Sequence, residues 1–469
     1  MIKITERLLT IVLVCLIGYL AFDLVRQTEG ETVPVMQETT EPGAQGTMQQ
    51  ITEPGEQGSM QQTTEPGTQG TAQETAALPA RYDAREVGRM ATVRSQGTLG
   101  TCWAITATSA MEAYFLPQER WVFSPDHLSL RNSFSKGQND GGAYTMAMAY
   151  LAAWQGPVLE EDDPYGDGYS PENLAAVKHV QEIQMFKNKD YDAIKRAVYQ
   201  YGAVQSAIYM DLDNAFSSSV YYNQLVYSYL YDGDETANHD VLIIGWDDDY
   251  EASQFNRNTT EKGAFICQTS WGEKFGDGGV FYVSYADRNI GNQAVAYTKM
   301  EDTDNYDHIY QTDLCGWVGQ LGYGDESCFA ANIYTAMGNE DLKAVGFYAT
   351  GQNTEYEIYI VEDFEDEASF YKRRSLKKGA LSEAGYYTIE LEEPLQLQPG
   401  QRYAVVLEIH TPGSQYPVAT EYMAGEATKT VDISDGEGYI SHNGIIWVRS
   451  EEEHQANVCL KAYTGNRRE

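Results

Sequence analysis

Residues 96–104, Gln96-Gly97-Thr98-Leu99-Gly100-Thr101-Cys102-Trp103-Ala104, carry a glycine-rich turn into a cysteine and then into an Ala-rich run. Leu99–Phe115, with Ile105, Met111 and Tyr114 among its alanines, predicts a buried helix. Cys102 therefore falls near a helix start. A thiol attacks as its thiolate, and the partial positive charge of a helix N-terminus favours that anion. The backbone N–H of Cys102 and the side chain of Gln96 can supply two donors to a tetrahedral oxyanion. Alone, a cysteine at a helix start is more often a small buried residue. The reading needs partners elsewhere in the chain.

One partner lies 137 residues on. Asn238-His239 precedes the strand-like run VLIIGW (241–246). An imidazole beside the thiol would pair with it as an ion and later protonate a leaving amine. A third stretch is Gln268-Thr269-Ser270-Trp271-Gly272, followed by GDGGVFYVSY. Around these, Ala143–Trp154 and Tyr191–Tyr201 have helical patterns, whereas 204–210, 263–268 and 280–285 have strand patterns. Helices first and strands later suggest an α+β domain.

These separated motifs together resemble the papain-like cysteine peptidases. LPARYDAREVG resembles that family's mature N-terminus, and QGTLGTCWA its nucleophile segment. FSPDHLSL, Asn139-Asp140-Gly141-Gly142 and DDPYG resemble three further family stretches, and NHDVLIIGW and SWGEKFGDGGVFYV its His and Trp segments. The resemblance covers residues 78–300 and implies a two-lobed papain-like fold. It implies that Cys102 is the nucleophile, His239 the general base and acid, and Gln96 the oxyanion donor. It implies that Gly142, next to Gly141, pairs its backbone with an extended substrate. Trp271 matches the indole that covers the catalytic hydrogen bond, and Asn238 and Asp240 flank the histidine at the substrate side. No cofactor and no metal is implied.

Four departures qualify the resemblance. Thr269 stands where the family has an Asn that orients the imidazole. Its shorter side chain makes direct contact with His239 doubtful, and an active but slowed enzyme is the expectation. Leu99 replaces the first cysteine of the family's nucleophile segment, so one family disulfide is absent. Asp240 follows the histidine where the family usually has Ala, which would favour Lys or Arg in the second specificity pocket. Residues 247–262 lengthen the segment between His239 and Trp271, as an acidic rim loop or a divalent-ion site.

Beyond residue 300 the pattern changes. ANIYTA, AVGFYAT, YEIYIVE, YYTIELE, RYAVVLEIH, IIWVRS and NVCLKAYT are short, aromatic-rich and separated by turns. Residues 301–469 read as an all-β sandwich. It resembles the lectin-like domain that follows papain-like domains in some exported prokaryotic proteins, which implies possible glycan contact. At the other end, the apolar run Leu8–Phe22 after Lys3 and Arg7 marks residues 1–25 as a signal peptide or an N-terminal membrane anchor. Residues 26–77 hold three 12-residue repeats rich in Pro, Gly, Thr and Gln, a composition expected to form a disordered linker. No conventional inhibitory prosegment is expected in this tail.

Composition bounds the function. With 32 Lys+Arg against 69 Asp+Glu the net charge is −37, which disfavours nucleic-acid partners. Six cysteines in 469 residues exclude a disulfide scaffold, although Cys315 and Cys328 could form one bridge. The chain reads as an exported cysteine endopeptidase acting on protein or peptide substrates, extracellular or held at the cell surface. The rivals are an impaired pseudo-protease that binds peptides or glycans, and a transpeptidase.

Overall fold

The computed structural model describes residues 35–38 and 77–467. The apolar run at 8–22 and the three repeats lie outside the described residues. Among the described residues no helix is long and apolar enough to cross a membrane.

The helix Cys102–Phe115 is the axis of the first region. Every residue from Trp103 to Ala113 is buried, as befits a helix packed on all sides. Its one buried carboxylate, Glu112, is held by both nitrogens of the Arg94 fork at 2.6 and 3.1 Å and accepts the Phe123 N–H. Removing either charge would strand the other in a dry core. This pair also fixes the chain two residues before Gln96. Helices Pro125–Leu130 and Tyr144–Ala152 pack on the same axis and complete one lobe.

A second lobe is built on strands Val204–Ile208, His239–Asp247, Ala264–Gln268 and Val280–Ser284, joined edge to edge. Its separate core holds Val204, Ile208, Val241, Ile243, Trp246, Phe265 and Phe281, with helix Tyr191–Tyr201 packed on it through Ile194 and Val198. The cleft lies where the head of the Cys102 helix meets the start of the His239 strand.

The C-terminal region is an all-β sandwich. One layer is a six-stranded sheet that includes Ser327–Thr335, Thr354–Val361 and Arg402–His410. The facing layer includes Glu340–Ala349, Ala384–Leu397 and Leu460–Asn466, and Leu342, Val345, Phe347, Ile358, Val405 and Leu407 share the core between them. The expected strand at IIWVRS shrinks to Val448–Arg449, with Ile445 and Ile446 more than half exposed. Cys315 and Cys328 are both free and buried in different places. The Cys315 thiol donates to Ser133 O, and the Cys328 thiol to Phe329 O and Ser441 O.

The two regions are not beads on a string. Strand His179–Met185 of the first pairs antiparallel with Ala384–Tyr387 of the second, in the register Ile183↔Tyr386 and Gln184↔Gly385. This seam fuses both regions into one continuous sheet of thirteen strands among the described residues. One apolar cluster likewise spans both, joining Met148, Tyr150 and Ile183 to Tyr348, Tyr386 and Cys459. Separately, Val35–Glu38 adds to the edge strand Gly319–Gly322 of a small four-stranded sheet.

Gly385 sits in the seam at φ +142°, and a Cβ there would lie 1.9 Å from the Ile183 carbonyl oxygen. Gly385→Ala must therefore strain the backbone or part the strands. The substitution is expected to cost about 1–3 kcal/mol in urea unfolding followed by circular dichroism. An unchanged midpoint would show that the seam carries no stability.

Candidate active site

The turn before Cys102 is stitched to the segment after Gln268. The Gln96 N–H donates to Ser270 O at 2.7 Å, and the Gly272 N–H to Arg94 O at 3.0 Å. The Gln96 side chain is gripped at both ends. Its Oε1 accepts the Ser270 hydroxyl at 2.6 Å, and its Nε2 donates to Leu99 O at 2.7 Å. An amide nitrogen has two N–H donors, so one remains for a substrate oxygen. Behind the turn, the Tyr165 hydroxyl donates to Gln96 O at 3.1 Å and is hydrogen-bonded to Thr101 Oγ1.

Cys102 opens its helix, as the glycine-rich turn implied. The backbone amides of Asp240, Trp103 and Cys102 itself favour the thiolate. Burial opposes these donors, as does the charge on the Asp240 carboxylate, and the thiol is pushed up to about 12. His239 is 6% exposed, and burial pushes its imidazole down to about 4. Each of these shifts holds while the partner is neutral. Moving the proton from sulfur to ring creates two charges together, whose attraction must offset the burial cost.

The indole of Trp271 lies beside the imidazole, with ring centroids 4.9 Å apart and planes at 45°. Thr269 is buried, but its Oγ1 turns back to accept the Trp271 N–H at 3.3 Å. The His239 Nε2 is buried and has no hydrogen-bond partner among the described residues. Gln268 faces elsewhere and donates to Thr92 O.

The remaining residues singled out from the sequence are distributed around this centre. Asn238 clamps the neighbouring strand, accepting the Met210 N–H at 2.7 Å through Oδ1 and donating to Met210 O at 3.3 Å through Nδ2. It thereby sets the register Ile208↔His239 and Ala207↔Asp240. Gly142 has no room for a side chain, because a Cβ would lie 2.3 Å from the Trp103 ring. Gly141 adopts φ +69°, and its amide nitrogen lies 3.0 Å from where a Gly100 Cβ would sit. The backbone of 141–142 is thus pressed against the nucleophile turn. Residues 247–262 hold no ion-binding cluster among the described residues. Asp247 instead faces Arg81 at 3.7 Å, and Asp248 pairs with Lys195 at 2.5 Å.

Asp240 has a partner that the sequence did not reveal. Its Oδ2 accepts from Gln205 Nε2 at 2.6 Å. The same nitrogen also reaches Trp103 O at 3.3 Å, and Gln205 Oε1 accepts the Tyr297 hydroxyl at 3.1 Å. Burial pushes the Asp240 carboxyl up to about 7, against the pull of the Gln205 hydrogen bond. The signal in sequence was a Gln beside Ser206 in the buried strand Val204–Ile208.

A hydrogen-bond acceptor for Nε2 should aid charge separation. Thr269→Asn is expected to raise the iodoacetamide labelling rate of Cys102 severalfold at mildly acidic pH, read by peptide mass spectrometry. His239→Ala should lower it at least about tenfold. Equal rates in all three proteins would show that the imidazole does not activate the sulfur.

Comparison with known proteins adds to this geometry. Residues 78–300 match the family model described as papain family cysteine protease, and residues 309–464 match the lectin like domain. A probable cysteine protease of Arabidopsis thaliana, RD19B, is 30% identical over 229 residues, covering 45% of this chain and 60% of its own length. The related RD19C is 28% identical over 227 residues, covering 45% of this chain and 58% of its own length. This chain therefore spans about three-fifths of the length of the curated relatives it matches. Among solved structures, the cysteine protease and lectin-like domains of Cwp84, a surface layer associated protein of Clostridium difficile, superpose with a TM-score of 0.73 at 24% identity, covering 84% of this chain and 90% of that one. Cwp84 after propeptide cleavage gives 0.72 at 24% identity, over 82% and 99%. The likeness to Cwp84 is one of fold and extends through both regions.

Proposed function

This chain carries a papain-family cysteine protease domain, a hydrolase type that acts on peptide bonds, followed by a lectin-like domain, and from that premise we propose that the whole protein is an exported cysteine endopeptidase. The observation that carries the reading is Cys102 at the head of a helix whose Trp103 carbonyl shares the Gln205 side-chain amide with Asp240, the residue after His239. Domain limits of 78–300 and 301–469 fit this division, with 1–25 as a signal or anchor and 26–77 as a linker.

In the proposed reaction His239 takes the Cys102 proton and the sulfur adds to the substrate carbonyl carbon. The resulting oxyanion accepts the free N–H of Gln96 and the backbone N–H of Cys102. When the C–N bond breaks, the imidazolium gives its proton to the leaving amine, and a thioester remains on Cys102. Water, losing a proton to His239, then releases the acid and restores the thiol. Trp271 keeps solvent from one face of the imidazole. Thr269 stabilises the Trp271 loop and leaves Nε2 unassisted, which slows the cycle. Gly141 and Gly142 offer backbone to an extended substrate, and Asn238 holds the strand on which His239 stands.

Asp240 and Gln205 together make an acidic specificity pocket for a Lys or Arg side chain. The orphaned Nε2 favours one rival, an impaired peptide- or glycan-binding module. Export is supported by the basic and apolar N-terminal sequence and by the description of Cwp84 as surface layer associated. Tethering through residues 1–25 and glycan contact through the lectin-like domain belong to the same reading.

Casein should be hydrolysed by the wild type, blocked by an epoxysuccinyl thiol-protease inhibitor, and left intact by Cys102→Ala. Intact casein with the wild type would favour the binding module. Asp240 is neutral below its pKa of about 7 and anionic above it. Preference for Arg-Arg over Phe-Arg reporter peptides should therefore grow as the pH rises from about 5.5 to about 8. Asp240→Asn should flatten that rise. The same rise in the Asn variant would retire the pocket assignment.

A further inference from the structure

One strip of chain, residues 133–142, is shared between the cleft and the lectin-like domain. At its far end it belongs to the active site. Gln138 O accepts the Gly100 N–H at 2.8 Å, and Gly142 packs on the Trp103 ring. At its near end it belongs to the other domain. The Ser135 N–H donates to Ala427 O at 2.7 Å, and Ser133 O accepts both the Thr430 hydroxyl at 3.0 Å and the Cys315 thiol at 3.5 Å. Ala427, Thr430 and Cys315 are all lectin-like residues.

The distance along this strip is short. Seven residues separate Ser135 from Gly142, at most roughly 25 Å if extended. A tight turn shortens it further, because Asp140 N–H donates to Gly137 O at 3.0 Å and Gly137 N–H to Asp140 Oδ2 at 2.8 Å. A bound peptide advances about 3.3 Å per residue. A peptide paired at Gly142 thus covers the strip within a handful of residues. The loop docked there is open to visitors. Met423 is 64% exposed, and Glu426, whose one ion pair among the described residues is with the neighbouring Lys429, is 81% exposed.

We infer that residues 423–430 of the lectin-like domain form the outer wall of the substrate groove, contacting an extended polypeptide about three to six residues upstream of the cleaved bond. The inference rests on the peptidase reading and deepens it. The substrate is then a polypeptide long enough to lie across both domains, and Glu426 reads its charge. The shared sheet and the Ser133–Ser135 hydrogen bonds hold this wall in fixed relation to Cys102. The accessory domain becomes part of the specificity apparatus as well as a place for glycans.

The test uses full-length protein and three fluorogenic peptides that are identical around the scissile bond. One ends two residues upstream, and two carry six-residue extensions rich in Lys or in Glu. Glu426→Lys should lower kcat/KM for the Lys extension about fivefold, raise it for the Glu extension, and leave the short peptide within about twofold. Equal changes on all three peptides, or none, overturn the inference. If the wild type cleaves no peptide, the peptidase reading has failed. Fluorescence anisotropy of the two extended peptides on Cys102→Ala and on its Glu426→Lys double variant then decides the matter. Opposite shifts in Kd for the two extensions support the wall, and unchanged Kd values overturn it.

Discussion

The site depends on a single packing contact, the head of one helix against the start of one strand. Trp103 O on the helix and Asp240 Oδ2 on the strand share the Gln205 side-chain amide. Everything around that contact serves to hold it. Arg94 and Glu112 lock the helix to the turn, Gln96 and Ser270 lock the turn to the Trp271 segment, and Asn238 locks the strand register. Glu112, Gln96 and Ser270 are buried, away from solvent and salt that would weaken their contacts, whereas Asn238 is exposed. The pieces come from three separate stretches of the chain, so the site exists only in the folded state.

Burial is also the difficulty. A dry cleft disfavours thiolate and imidazolium alike, and the unpartnered Nε2 removes one source of relief. The backbone amides of Asp240, Trp103 and Cys102, which favour the thiolate, are the compensation. In the proposed reaction this balance sets the rate, and residues 240 and 269, where the chain departs from the papain pattern, tune it. One carboxyl influences both the electrostatics of the sulfur and the pocket beside it.

Much of this was legible in the sequence, for identifiable reasons. The Ala-rich helix, the helix Tyr191–Tyr201 and the strands from 204 to 284 follow from local periodicity, and the structure has them at nearly those limits. What periodicity cannot reveal is pairing. His179–Met185 meets Ala384–Tyr387 across some two hundred residues, so the fusion of the domains into one sheet is visible only in three dimensions. Residue identity at 269 was readable, but the turn of its hydroxyl toward the Trp271 amide was not. Asp240 stood out as an acid, whereas its partner Gln205 lay hidden in a buried strand. The possible Cys315–Cys328 bridge illustrates the same limit, since proximity along the chain put the two thiols on different neighbours.

The central claim is that sulfur 102 and imidazole 239 exchange a proton before substrate arrives. Thiolate absorbance in the ultraviolet, recorded as wild type minus Cys102→Ala across a pH titration, reads this directly. The account predicts a thiolate signal already present below the free-cysteine pKa of about 8.5, and its loss in His239→Ala. A signal that emerges only well above that value, and is unchanged by the His239 substitution, would contradict it.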